Sequence, residues 1–182
     1  MTTALKVVGL DVESKRKGSD WGSTFSFRDL ICADLRFAKE TTHRFLPFDF
    51  TKEQLDKWAA PLRQEGLLLV AHNGRYDLNG VNATLIGYGL APLVPNVLCD
   101  TLKDGPRGGG WIRRDLGSMS VRYGIQAKGS IDQATWDLAH NGDRAARALV
   151  KIYNCQDVDV VLELQAAMAK RGHLGRARMW KP

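Results

Sequence analysis

Residues 5–13 (LKVVGLDVE) carry apolar side chains on both alternating sides, and no other segment constrains the fold as much. A strand with one solvated face alternates apolar with polar, whereas a strand apolar on both sides is covered above and below. The chain must therefore place layers on either face of a sheet, an α/β arrangement. The strand ends in Asp11-Val12-Glu13. Two residues apart on a strand, the two carboxylates point to one face. Like charges so placed repel unless a cation sits between them. Otherwise they are an acidic strand end turned to solvent.

The remaining elements follow from local punctuation. Residues 14–26 are rich in Ser, Gly and Lys and read as loop. Residues 30–37 and 42–48 are β-branched and aromatic runs around Ala38-Lys39-Glu40-Thr41, the spacing of a hairpin. Thr51 stands as a helix N-cap with Gln54 at the capping-box position. Leu55, Trp58, Ala59 and Leu62 form the apolar stripe of that helix, which ends near Gly66. Residues 67–71 are a short apolar strand, 75–86 a helix and 97–99 a further strand. A helix through Leu116 and Val121, a loop over 124–129 and a long helix over 144–170 complete the order βββαβαβαα.

A length of 182 residues, 44% of them hydrophobic, suits one domain with a continuous core. The glycine run at 108–110 reads as a surface loop, and the domain is expected to span residues 1–170. Residues 171–182, with Arg171, Arg176, Arg178 and Lys181, form a basic tail, expected to be a disordered solubilising end or to touch nucleic acid. No apolar run approaches the ~20 residues of a membrane span, and residues 1–6 lack the pattern of a secretory signal. An intracellular, cytoplasmic protein without a membrane partner is expected. Cys32, Cys99 and Cys155 are odd in number and widely separated, and read as reduced core residues. A net charge of +6 suits a polyanionic partner such as nucleic acid.

Two more segments carry acid groups in structured places. In His72-Asn73-Gly74-Arg75-Tyr76-Asp77, Asp77 falls in the first turn of a helix, where the helix dipole favours an anion. Either a capping role or a ligand role fits it. In Tyr153-Asn154-Cys155-Gln156-Asp157, Tyr153 and Asp157 stand one helical turn apart. An apolar stripe through Leu149, Tyr153, Asp157, Val160, Leu164 and Met168 buries Asp157 in the seam. A buried carboxylate needs a basic partner or a metal, unless the arc is rotated enough to let Asp157 reach solvent beside Asp159.

Asp-x-Glu ending the first strand, Asn-x-x-Tyr-Asp after a later one, and Tyr-x-x-x-Asp in the last helix together resemble the three motifs of the DEDD superfamily of 3'-5' exonucleases. The tyrosine branch is the one resembled, known from polymerase proofreading domains and from ribonuclease D. The likeness spans residues 7 to about 164. Residues 116–124, Lys128-Gly129 and Asn141-Gly142-Asp143 also look like standalone phage and bacterial exonucleases of this kind. Ser14 departs from the Thr common after the Glu, and the loop Lys15-Arg16-Lys17-Gly18-Ser19-Asp20-Trp21-Gly22 replaces a shorter turn.

The resemblance implies a ribonuclease H-like fold, with a mixed five-stranded sheet and helices on both faces. It implies that Asp11, Glu13, Asp77 and Asp157 hold two divalent cations, with Asp11 bridging and Tyr153 orienting a water. Four carboxylates, with no cysteine or histidine cluster, make an oxygen-rich site that selects Mg2+ or Mn2+. Two such ions about 3.5–4 Å apart suit an in-line phosphoryl displacement. Trp21 is expected to stack a base while Lys15, Arg16 and Lys17 meet phosphates of a single strand, or else this is a solvated loop. Ser14 and Asn73 are further candidates for substrate contact, Asn73 alternatively capping its helix, while His72 reads as a packed histidine. The expected substrate is the 3' end of single-stranded DNA, or RNA as for ribonuclease D. A separate polymerase or replication protein is the expected protein partner. The rival readings are an inert nucleic-acid-binding module and an endonuclease of the same fold.

Overall fold

The computed structural model describes residues 5–14, 30–105, 114–126 and 129–180. In chain order they form β1 (Lys6–Ser14), β2 (Leu30–Phe37), β3 (Arg44–Leu46), α1 (Lys52–Ala59), a 3-10 turn (Ala60–Arg63), β4 (Leu67–Ala71), α2 (Gly74–Gly87), β5 (Asn96–Asp100), α3 (Leu116–Arg122), α4 (Gln133–His140), α5 (Arg144–Lys170) and β6 (Arg178–Trp180). One mixed sheet runs β3-β2-β1-β4-β5-β6. β1, β4 and β5 are parallel, while β2 and β6 flank them antiparallel.

The double-sided burial read from residues 5–13 is realised in two separate cores. Val8, Leu10 and Val12 face one way, into a core with Leu55 and Trp58 of α1 and Leu78, Val81 and Leu85 of α2. Val7 faces the other way, into a core with Met119 of α3 and Val158, Val161 and Leu164 of α5. Gly9, Asp11 and Glu13 share the parity of Val7, so both carboxylates lie on the α5 face. Among the described residues no helix is long and apolar enough to cross a membrane.

Three expectations need correction. The helix after Thr51 has its capping box, but α geometry ends at Ala59 and a 3-10 turn takes over at Ala60, with Pro61 in its first turn. Proline has no N–H to donate, and its ring crowds the carbonyl four residues back. Residues 133–140, to which the sequence patterns assign no element, are α4, whose N-cap Asp132 accepts the Thr135 N–H at 2.7 Å. The sheet has six strands rather than five. Arg178–Trp180 pairs with β5, which replaces the disordered end expected there, and the buried Trp180 indole donates to Asn79 Oδ1 at 3.2 Å.

Candidate functional site

β1 delivers Asp11 and Glu13 to the α5 face, and a register shift between Glu13 and Ser14 ends its regular pairing with β2. Such an irregularity turns the chain and re-aims the side chains beside it. From the opposite layer α5 presents Asp157, only 4% exposed. Oxygens of Asp11, Glu13 and Asp157 all lie within 4.8 Å of one another. Residues 146 positions apart along the chain thus meet in one acidic pocket, as the order of the motifs and the resemblance they carry implied.

The arc of α5 that is buried is rotated from the expected stripe. Leu149 is 54% exposed, and Val150 and Asn154 take the inward positions. Asp157 stays inside despite this rotation. Asn154, which the sequence reading passed over, is fully buried and donates from Nδ2 to Asp11 Oδ2 at 2.5 Å. Its spacing from Val150, Asp157 and Val161 was the available signal.

Asp77 lies in the first turn of α2, 5% exposed, outside the 4.8 Å trio. Its Oδ2 is buried with no hydrogen-bond partner among the described residues. Burial pushes its carboxyl well above the usual range, and the charges of Asp100 and then Glu13 push it further. Asp77 is therefore within electrostatic reach of both the trio and a second buried acid. Asp100, at the end of β5, was not among the expected residues. Its Oδ1 accepts the backbone N–H groups of Asn73, Leu102 and Lys103 at 3.0, 3.1 and 3.2 Å, pinning the β4–α2 connection.

Asn73 does not cap α2 with its side chain. It holds a left-handed conformation at φ 74° and makes no side-chain capping bond. Ser14 pairs its hydroxyl with the Tyr76 phenol at 2.7 Å. His72 is a packed histidine as expected, its ring nitrogens 2.9 Å from Thr101 Oγ1 and 2.8 Å from the Arg114 carbonyl. Lys15, Arg16, Lys17 and Trp21 lie outside the described residues.

Glu13, Ser14 and Tyr153 open into a cleft of about 950 Å³ that also has Phe48, Phe50, Tyr88, Trp136 and His140 on its walls. Trp136 and His140, one turn apart on α4, have ring centroids 6.0 Å apart. This aromatic wall escaped the sequence reading, although Asp132 as a cap, Trp136 and Ala139 at helical spacing, and Asn141-Gly142 as a stop were all legible.

The cysteines are free, and Cys32 and Cys99 are buried as expected. Burial pushes the Cys99 thiol up to about 12. Cys155 is half-buried rather than a core residue, and the fold brings it to a histidine that lies far from it in sequence. Donor atoms of Asp34, His43 and Cys155 lie within 4.8 Å of one another. Burial pushes the Asp34 carboxyl up, opposed by the His43 ring and the Cys155 thiol.

No protein-family model and no curated protein matches this sequence. Among solved structures the chain is similar to the family B DNA polymerase from the hyperthermophilic archaeon Pyrobaculum calidifontis, with a TM-score of 0.62 and 13% identity, over 91% of this chain and 24% of that one. It is also similar to Escherichia coli RNase D, an exoribonuclease involved in structured RNA processing, with a TM-score of 0.49 and 20% identity, over 92% of this chain and 41% of that one. The chain thus spans well under half the length of either. What the polymerase likeness and the strand order establish is the fold, a ribonuclease H-like α/β arrangement.

Proposed function

We propose that this chain is a metal-dependent 3'-5' exonuclease of the tyrosine DEDD type, which degrades single-stranded nucleic acid, DNA in preference, to nucleoside 5'-monophosphates. The observation that carries the reading is the meeting of Asp11, Glu13 and Asp157 within 4.8 Å. The cleft walled by Glu13, Tyr153 and aromatic side chains lies next to it. A net charge of +6 favours a phosphate-bearing substrate. The ribonuclease H-like fold, shared with a DNA polymerase, agrees with this. The protein is read as acting inside the cell, on 3' ends supplied by a separate polymerase or replication protein.

The donor set fits hard dications. All of its donors are carboxylate oxygens, and the buried Asp77 Oδ2 has no hydrogen bond to satisfy it among the described residues. Asp11, Glu13 and Asp157 would hold one Mg2+ or Mn2+, and Asp77 with Asp11 would support a second. When bound, such a pair lowers the pKa of a water and offsets charge on the phosphate oxygens in an in-line displacement. Asn154 fixes the rotamer of Asp11 through its amide N–H. Tyr153 orients the attacking water with its hydroxyl rather than removing a proton, because a free phenol titrates near pH ~10. The aromatic wall holds the terminal bases by stacking, which tolerates any sequence. Ser14 and Asn73 border the 3' terminus, and Lys15, Arg16 and Lys17, outside the described residues, are assigned to the phosphates on their charge alone.

The test uses 5'-labelled single-stranded DNA and RNA with Mg2+, Mn2+ or chelator, and the Asp157→Ala variant alongside. The expected result is a ladder shortened from the 3' end that requires metal and Asp157, and is faster on DNA. Faster loss of RNA would make the protein an exoribonuclease, and internal cuts an endonuclease. Binding without cleavage would make it an inert module.

A further inference from the structure

We propose that Asp34, His43 and Cys155 form a second metal site, which takes a borderline-soft transition dication such as Zn2+ and is separate from the carboxylate pocket. The three side chains come from β2, the turn before β3, and α5. They offer one carboxylate oxygen, one imidazole nitrogen and one thiol sulfur, all within 4.8 Å of one another. Magnesium takes oxygen ligands, whereas this mixture is the donor set of zinc. Three protein ligands leave a fourth tetrahedral position for water.

Asp34 supplies the second, independent observation. It is fully buried, and its Oδ1 makes no hydrogen bond of good geometry among the described residues, although the Cys155 thiol and the Leu35 N–H lie near the carboxylate. A carboxylate oxygen left in that state inside a protein is costly, and a dication satisfies it directly. His43 is already oriented for the task. Its Nδ1 lies 2.5 Å from Asp34 Oδ2, and its Nε2 lies 3.2 Å from Asp159 Oδ1. Arg36 Nε forms an ion pair with that same Asp159 oxygen at 2.7 Å. A metal-bound histidine whose remaining N–H is taken by a carboxylate has its tautomer and ring plane fixed. Asp159 is placed to do this when Nδ1 is the ligand.

Zinc sits ~2.0–2.1 Å from nitrogen and oxygen, which sets two tetrahedral ligands about 3.3 Å apart. Uptake therefore opens the 2.5 Å His43–Asp34 contact by about 0.8 Å. Rotation of the His43 side chain, in the irregular segment just before β3, supplies that movement. Binding releases the Cys155 thiol proton, and the proton shared by His43 and Asp34, to solvent. The dication then faces one thiolate, one carboxylate and a neutral imidazole, so the inner site is electrically balanced. None of its ligands belongs to the Asp11, Glu13 and Asp157 trio, so it stands or falls independently of the nuclease reading.

The test titrates the full chain with Zn2+, and with Co2+ as its coloured substitute, in excess Mg2+. The expected result is one tightly held equivalent, a thiolate-to-cobalt charge-transfer band in the near ultraviolet, and slower alkylation of Cys155 when zinc is present. Cys155→Ser removes the band, and both Cys155→Ser and His43→Asn weaken zinc by about 100-fold or more, since even outer partners are worth 10–100-fold. Asp11→Asn with Asp157→Asn keeps the equivalent. Circular dichroism confirms that each variant is folded. The proposal is overturned if the folded wild type gives no thiolate band and no protection of Cys155. A band that survives Cys155→Ser, or zinc that leaves with Asp11 and Asp157, also overturns it. In those cases Asp34, His43, Asp159 and Arg36 are an ion-pair network bridged by a proton.

Discussion

Gly9→Ala should damage the acidic pocket from a distance, because β1 and α5 touch at that point. A Cβ at residue 9 would stand 2.7 Å from Leu162 Cγ, 2.9 Å from Leu162 Cδ1 and 3.1 Å from Val158 Cγ1. Carbon atoms rest at ~3.5–4.0 Å, so the closest pair is too close by roughly 1 Å. Leu162 and Val158 are both buried, so α5 must recede and take the neighbouring Asp157 with it. Overpacking of this kind costs about 1–3 kcal/mol. A misplacement near 1 Å at a reacting centre costs about 100-fold in rate. Urea unfolding in chelator should report the stability loss. The rate of 3'-end removal, measured well below the melting temperature, should report the second effect. Adding Leu162→Ala removes both of the closest atoms and should restore most of the rate, despite its own cavity penalty. Wild-type stability and rate in Gly9→Ala would refute the argument, as would a double variant no faster than Gly9→Ala.

Further outcomes follow from the same geometry. Asp77 binds its proton more tightly folded than unfolded, so without metal, stability should fall as pH rises above the ordinary value of 3.8 and stay low beyond the folded pKa, with a limiting slope of about 1.4 kcal/mol per pH unit. Asp77→Asn should flatten that slope and raise the metal-free melting temperature near pH ~7 while abolishing activity; thermal melts in chelator across pH would expose the opposite sign. Asn154→Ala leaves Asp11 without its amide donor and should raise the Mg2+ needed for half-maximal rate by about 10–100-fold, read from metal titrations of activity. Trp136→Ala should weaken single-strand binding by about 1–3 kcal/mol with little dependence on base identity, measured by anisotropy on homopolymers.

The sequence was most legible where one physical pattern acted alone. The double-sided apolar run of β1, the capping box at Thr51 and Gln54, and the bounds of β2, β4 and α5 came from periodicity and caps, and they recur in the structure. Asp11, Glu13 and Asp157 were identified together because motif order, rather than any single spacing, brought them to one place. What escaped depended on contacts between distant segments. β6 is three residues long, too short for any period, and exists because Trp180 finds a pocket against β5 and Asn79. Asn154 was obscured by assigning Leu149 and Tyr153 to the buried arc, an error of less than one residue in helix phase. Asp34 and His43 joined Cys155 only through strand pairing and helix docking, which no local pattern announces.

The acidic pocket draws on both the first strand and the last helix, and this governs when it can exist. A ribosome releases Asp11 and Glu13 early and Asp157 only after most of the chain has emerged. A nascent polypeptide that stops before residue 144 holds the front half of the pocket and lacks its closing wall. Under the proposed function, nuclease competence would then arrive in one late step, when α5 docks, and cation uptake would lock that docking in place.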